Sequence, residues 1–100
     1  MSATLTKADF DAQLHQPFQV EAGDTTYELK LIEVQALSES ARVPDGREPF
    51  SAIFLGPKSP IFGQQIFHLS NPVTGALEIF LVPLGPDLEN KGIRYEAVFS

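Results

Sequence analysis

The sequence predicts a mainly β domain: a small antiparallel barrel of about six strands, preceded by one short N-terminal α-helix. A two-sheet sandwich is the alternative arrangement of the same strands. Three observations lead there. The apolar spacing changes at Phe18 from a helical repeat to strict alternation. The strand candidates that follow are joined mostly by hairpin-length loops, which suit antiparallel pairs; parallel pairs need long crossovers. No strand–helix–strand rhythm exists, which argues against a doubly wound parallel sheet. A barrel is preferred because closure removes sheet edges, and these strands carry few charges to protect an edge.

Residues 4–16, TLTKADFDAQLHQ, carry the only helical signal. Thr6 is the expected N-cap, with Asp9 in an acidic variant of the capping box. Phe10 and Leu14 share one face, and Pro17 ends the element. Such a helix is too short to be stable alone and must dock, over an open end or edge of the barrel. Residues 18–100 form the barrel. Phe18 and Val20 alternate with Gln19 and Glu21, and Ala22-Gly23-Asp24 turns the chain. Tyr27, Leu29 and Leu31 alternate with Glu28 and Lys30 until the parity slips at Leu31-Ile32, where a β-bulge or strong bend is expected. Residues 38–48 are polar and read as a loop. Phe50–Leu55 is apolar on both parities. GPKSPIFG, residues 56–63, is a Pro- and Gly-punctuated connection. Gln65–Ser70 is a strand, and NPVTG, residues 71–75, a hairpin turn. In Ala76–Val82, Leu77, Ile79 and Leu81 alternate with Ala76, Glu78 and Phe80. Residues 85–92 read as a further turn region, and Ile93–Ser100 as the last strand, with Tyr95, Ala97 and Phe99 on one parity.

Length and composition bound the function. One hundred residues make a single domain, 1–100, with room for one modest core. Eight Phe supply much of that core, and the formal net charge is −6. An acidic chain is poorly suited to a phosphate backbone or an anionic membrane surface. The absence of Cys excludes disulfides, thiolate metal sites and cysteine nucleophiles. The N-terminus MSATLTKADF predicts no ordinary signal peptide, and no apolar run approaches the roughly 20 residues of a spanning helix. The expectation is a protein made in the cytoplasm, with incorporation into an exported or tail-like particle left open.

A search for chemistry yields no catalytic, metal or cofactor residue. His15 closes the helix, where the dipole favours a cation. His68 lies mid-strand, outside any H-x-H or H-E-x-x-H setting, and would serve catalysis only beside a carboxylate or serine in a cleft. Ser51, Ser59 and Ser70 lack a nucleophile elbow. Glu28, Glu33, Glu78 and Glu96 alternate with apolar residues and read as solvent-facing. Asp45, Asp87 and Glu89 read as turn formers, without the spacing of a Ca²⁺ loop. The residues 56–63 lack the P-loop spacing, and their prolines remove amide donors. One detail there points outward. Ile61 and Phe62 are bulky apolar residues in a segment otherwise built like a surface loop. They either tuck back as a plug or serve as anchors for a partner. Leu84 and Leu88, near the other Pro/Gly-rich segment, admit the same two readings.

Much of the chain also resembles an uncharacterised family of small standalone bacterial β-barrel domains with the pattern F-x-x-x-F-x-GP, then G-x-x-x-IFLVP, then YEAVF. The matching residues are Glu48, Phe50, Phe54, Gly56 and Pro57; Gln64 or Gln65, Leu69, Pro72 and Gly75; Phe80, Leu81, Val82 and Pro83; and Tyr95, Glu96, Ala97, Val98 and Phe99. Phe10, Leu14, Phe18, Val20, Gly23, Tyr27, Leu29, Leu31 and Val34 extend the likeness to the N-terminal part. Ser100, where Asn is usual, and His68 depart from it. The resemblance implies a compact domain with no transferable catalytic residue, and an association with phage-tail-like or surface fibre assemblies. Its signature has direct physical readings: Gly56, Gly75 and Gly92 suit turns with positive φ, and Phe50, Phe54, Phe80 and Phe99 suit a packed core.

The functional expectation is a non-enzymatic protein–protein interaction or structural accessory module. Ile61, Phe62, Leu84 and Leu88 are its candidate contact residues, and an unidentified protein or a second copy is its partner. A small apolar ligand-binding barrel is the alternative, requiring an internal pocket of roughly 300 Å³ or more. An enzyme is the third reading.

Overall fold

The structure is a computed structural model and describes residues 7–22, 24–36, 49–58, 61–89 and 91–99. Among these, the helix α1 (Lys7–Asp11) precedes six strands: β1 (Pro17–Ala22), β2 (Thr25–Ala36), β3 (Phe50–Gly56), β4 (Gln65–Asn71), β5 (Gly75–Asp87) and β6 (Gly92–Phe99). The strands close in the order β1-β2-β3-β6-β5-β4, with β4 returning to β1. All neighbours are antiparallel. The fold is a closed barrel and not a sandwich.

The helix is shorter than the residues 4–16 expected. Beyond α1 the chain tightens: Gln13 N–H donates to the Phe10 carbonyl, Leu14 N–H to Asp11 and Gln16 N–H to Gln13, all i→i+3 bonds. His15 therefore does not cap a helix. It sits four residues past α1 at φ 70°, and its N–H donates to the Leu31 carbonyl while Leu31 N–H donates to Gln16. These bonds lead the chain into β1 before Pro17 could stop anything. Thr6 and its capping role lie outside the described residues, as do Gly23, Ser59 and the loop at 38–48 with Asp45.

Alternation fills the barrel as anticipated. Phe18, Leu29, Leu31, Phe54, Leu69, Leu81 and Tyr95 are fully buried. Each contributes about 1.5–3 kcal/mol relative to exposure. The parity slip in β2 is a register shift between Leu31 and Glu33 in the pairing with β3, which keeps Leu31 inside and turns Glu33 out. Phe80 corrects the core expectation: it shares the outward parity of Glu78 and is about half exposed. Two glycine readings also change. Gly75 does adopt positive φ in its turn, but Gly56 and Gly92 do not. They are needed for close approach. A side chain at Gly56 would press on Leu29 and Tyr95, and one at Gly92 on the Gly56 carbonyl.

The largest correction concerns β5, which runs through residues 85–87 where a turn was expected. Its residues Gly75–Leu81 pair with β4, and Val82–Asp87 pair with β6. The strand thus exchanges one neighbour for the other at Leu81/Val82. This explains how it accommodates Pro83 and Pro86: that half has no β4 ladder to supply with N–H donors. Gly85, at φ 111°, sits at the register shift with β6.

Candidate interaction surfaces

The strand order places two features at opposite ends of the barrel. β5 and β6 lie between β3 and β4, so the β3–β4 connection must cross one open end. Phe62, in that connection, turns inward over the opening. Its ring meets Tyr27 at 5.2 Å and Phe67 at 5.7 Å, both edge-on, and Tyr95 at 6.2 Å. Its N–H donates to the Tyr95 hydroxyl at 3.0 Å. Of the four contact candidates, Phe62 is thus the plug rather than a presented side chain. Ile61, its neighbour, is 64% exposed. The far end of β5 and the turn after it reach the same end of the barrel, and there Leu84 is 47% and Leu88 89% exposed. Ile61, Leu84 and Leu88, distant in sequence, share one end of the molecule. The turn beside Leu88 is held by Asp87, whose carboxylate accepts from Glu89 N–H and whose carbonyl accepts from Lys91 N–H. That is the turn-forming role expected of Asp87.

The opposite end is closed by α1. Phe10 lies against Phe50 at 5.5 Å and Phe99 at 5.1 Å, and these two stack at 4.7 Å. Beside them the buried Gln13 and Asn71 join, with the Asn71 side-chain N–H donating to Gln13 Oε1 at 3.0 Å. Asn71 Oδ1 meanwhile accepts from Val73 N–H, Thr74 N–H and the Thr74 hydroxyl, so one residue fixes the β4–β5 turn and ties it to the helix segment.

The wall between β5 and β6 holds a third feature that sequence reasoning missed. The ladder between these strands stops at Val82–Glu96. Beyond it lies a cleft of about 260 Å³, lined on the inner parity by Ile79, Ala97 and Phe99 and on the outer by Phe80 and Val98, with Glu78 and Glu96 on its flanks. Ile66 pairs with Phe80 across β4–β5. Ile66, Phe80 and Val98 are 59%, 51% and 60% exposed. The outward parity of Phe80 against Leu77, Ile79 and Leu81 was the available signal. The cleft falls below the roughly 300–1,000 Å³ of small-molecule sites, and it lies in the wall between β5 and β6.

Of the chemical candidates, Glu78 and Glu96 flank the cleft and Asp87 holds the turn at the crossover end. His68 is exposed on the outer wall, its Nδ1 3.6 Å from Glu78 Oε2 on the paired strand, and not inside a cleft. Ser51 is buried on β3. Among the described residues no group of His, Asp and Glu is arranged to hold a metal ion, and no helix is long and apolar enough to cross a membrane.

A search of the curated proteins finds no match to the chain, and a search of the solved structures finds none either. A family match does exist. It runs over residues 5–99 and so takes in α1, all six strands and both closed ends as one unit: the chain belongs to the family described as Domain of unknown function (DUF6916).

Proposed function

We propose that this domain is a non-enzymatic protein-binding module whose contact surface is the crossover end of the barrel, with Ile61, Leu84 and Leu88 as the contacting side chains. The observation that carries this reading is the contrast within the 61–62 pair. Phe62 is anchored by three aromatic neighbours and a hydrogen bond to Tyr95. Ile61 is thereby held outward on a fixed segment. Large apolar side chains presented on a rigid support are what interface anchors require, because little ordering entropy remains to be lost on binding. The family resemblance extends the reading to an accessory of a tail-like or surface fibre assembly, made in the cytoplasm.

An Ile61→Ala, Leu88→Ala double variant tests this. Both side chains are exposed, so the thermal melt should match that of the natural protein. Light scattering, and cross-linking in the native host, should show self-association or partner capture reduced about tenfold or more. Unchanged assembly with an unchanged melt would overturn the reading.

A further inference from the structure

We propose that the cleft between β5 and β6 is a docking site for an extended peptide segment in which an apolar residue is flanked by basic ones, laid along the open edge of β5. This site is separate from the crossover end, and neither proposal depends on the other.

Residues Gly75–Leu81 of β5 pair with β4 on one side and, among the described residues, pair with no strand on the β6 side. A strand with a neighbour on one side only offers backbone donors and acceptors on the other, which is the template that an added strand uses. Pro83 and Pro86 sit in the other half of β5, so every residue of Gly75–Leu81 keeps its backbone N–H.

The side chains define the occupant. The outward row at the cleft is apolar at Phe80 and Val98. It is acidic on either side along the strands, at Glu78 on β5 and Glu96 on β6. In an extended peptide, outward side chains recur at alternate positions. An apolar residue over Phe80 and Val98 would therefore have one outward neighbour beside Glu78, and at the end where the strands close at Val82–Glu96 a long side chain would reach Glu96 from the mouth of the cleft; Lys or Arg is complementary at both. The intervening side chains would point toward Ile79, Ala97 and Phe99. The cleft's charged lining is wholly acidic, and the protein's net charge of −6 adds attraction for a basic segment. The same charges disfavour a second copy, whose Glu78 and Glu96 would face these two.

A short synthetic peptide alternating Val and Lys is the probe, with a Val/Glu peptide of equal length as its counterpart. Fluorescence polarisation at low salt should show saturable binding of the Lys peptide only, weakening as salt rises. Glu78→Lys with Glu96→Lys should weaken binding at least about tenfold, and Val98→Asp should abolish it. All three positions are at least partly exposed, so a matched thermal melt shows that the fold is retained. Amide chemical-shift changes should centre on Leu77–Leu81 and Ala97–Phe99. Equal binding of both peptides, shifts centred elsewhere, or no binding up to about millimolar peptide would each overturn the proposal. So would a dimer in light scattering that Val98→Asp dissolves, which would assign the cleft to a second copy. Ile61→Ala with Leu88→Ala should leave peptide binding unchanged. If that variant abolishes binding, the peptide sits at the crossover end and the cleft assignment fails while the first reading stands.

Discussion

At the helix end of the barrel Phe10 is buried against Phe50 and Phe99, whereas at the crossover end Phe62 stays half-buried over Tyr27, Phe67 and Tyr95. Both ends are closed by an aromatic ring from a segment outside the strands. The helix end adds a buried amide pair, Gln13 with Asn71, that joins helix segment and turn. The crossover end adds one hydrogen bond, from a backbone N–H to the Tyr95 hydroxyl. The difference separates two jobs. One end is sealed as part of the core, and the other is held in place while keeping apolar residues on display.

Phe10→Ala should cost about 3–5 kcal/mol, as for a fully buried aromatic, and lower the melting temperature accordingly in calorimetry. If its cost is no greater than that of Phe62→Ala, the two ends are equivalent. Asn71→Ala should cost about 1–3 kcal/mol in urea titration, because it leaves the Gln13 amide buried without its partner as well as loosening the turn. At the crossover end, Phe62→Ala should cost about 1–2 kcal/mol for partial burial, and Tyr95→Phe about 0.5–1.5 kcal/mol for one hydrogen bond. A double-mutant cycle should find these two coupled, and strict additivity would mean that Tyr95 does not hold the Phe62 segment. The smallest effect is a gain. His15→Gly should raise stability by up to about 1 kcal/mol in denaturant titration, since a non-glycine residue at φ 70° is strained.

Much of this fold is legible in the sequence, and its failures are instructive. Alternation identified the inward residues of β1, β2 and β6, and the slip at Leu31-Ile32 announced a real register shift. Asn71 and Gly75 marked their turn correctly. Pro83, Gly85 and Pro86 misled, because proline is expected to break a strand; here the strand half that holds them lacks a ladder on its β4 side. Phe80 misled in the other direction. Hydrophobicity argued for the core while its parity argued for the surface, and parity won. For the candidate surfaces, the sequence left Ile61, Leu84 and Leu88 open between tucked and presented; all three are exposed, Leu84 from within β5 and not from a turn. The inward turn of Phe62 depended on Tyr27, Phe67 and Tyr95 meeting at one end, and the cleft depended on where a ladder stops.

Read alone, the residues carry a short amphipathic helix, most strand positions, the bulge in β2 and the exclusion of cysteine chemistry. These are local properties: the side-chain period, turn chemistry and residue inventory are written within a few positions of where they act. Closure of the barrel through β1 and β4, the change of partners midway along β5 and the passage of the β3–β4 connection over one end are properties of the assembled strands. Closing a barrel requires tilt and stagger between strands. Which half of a long strand loses a neighbour is set by that stagger, which no single segment encodes.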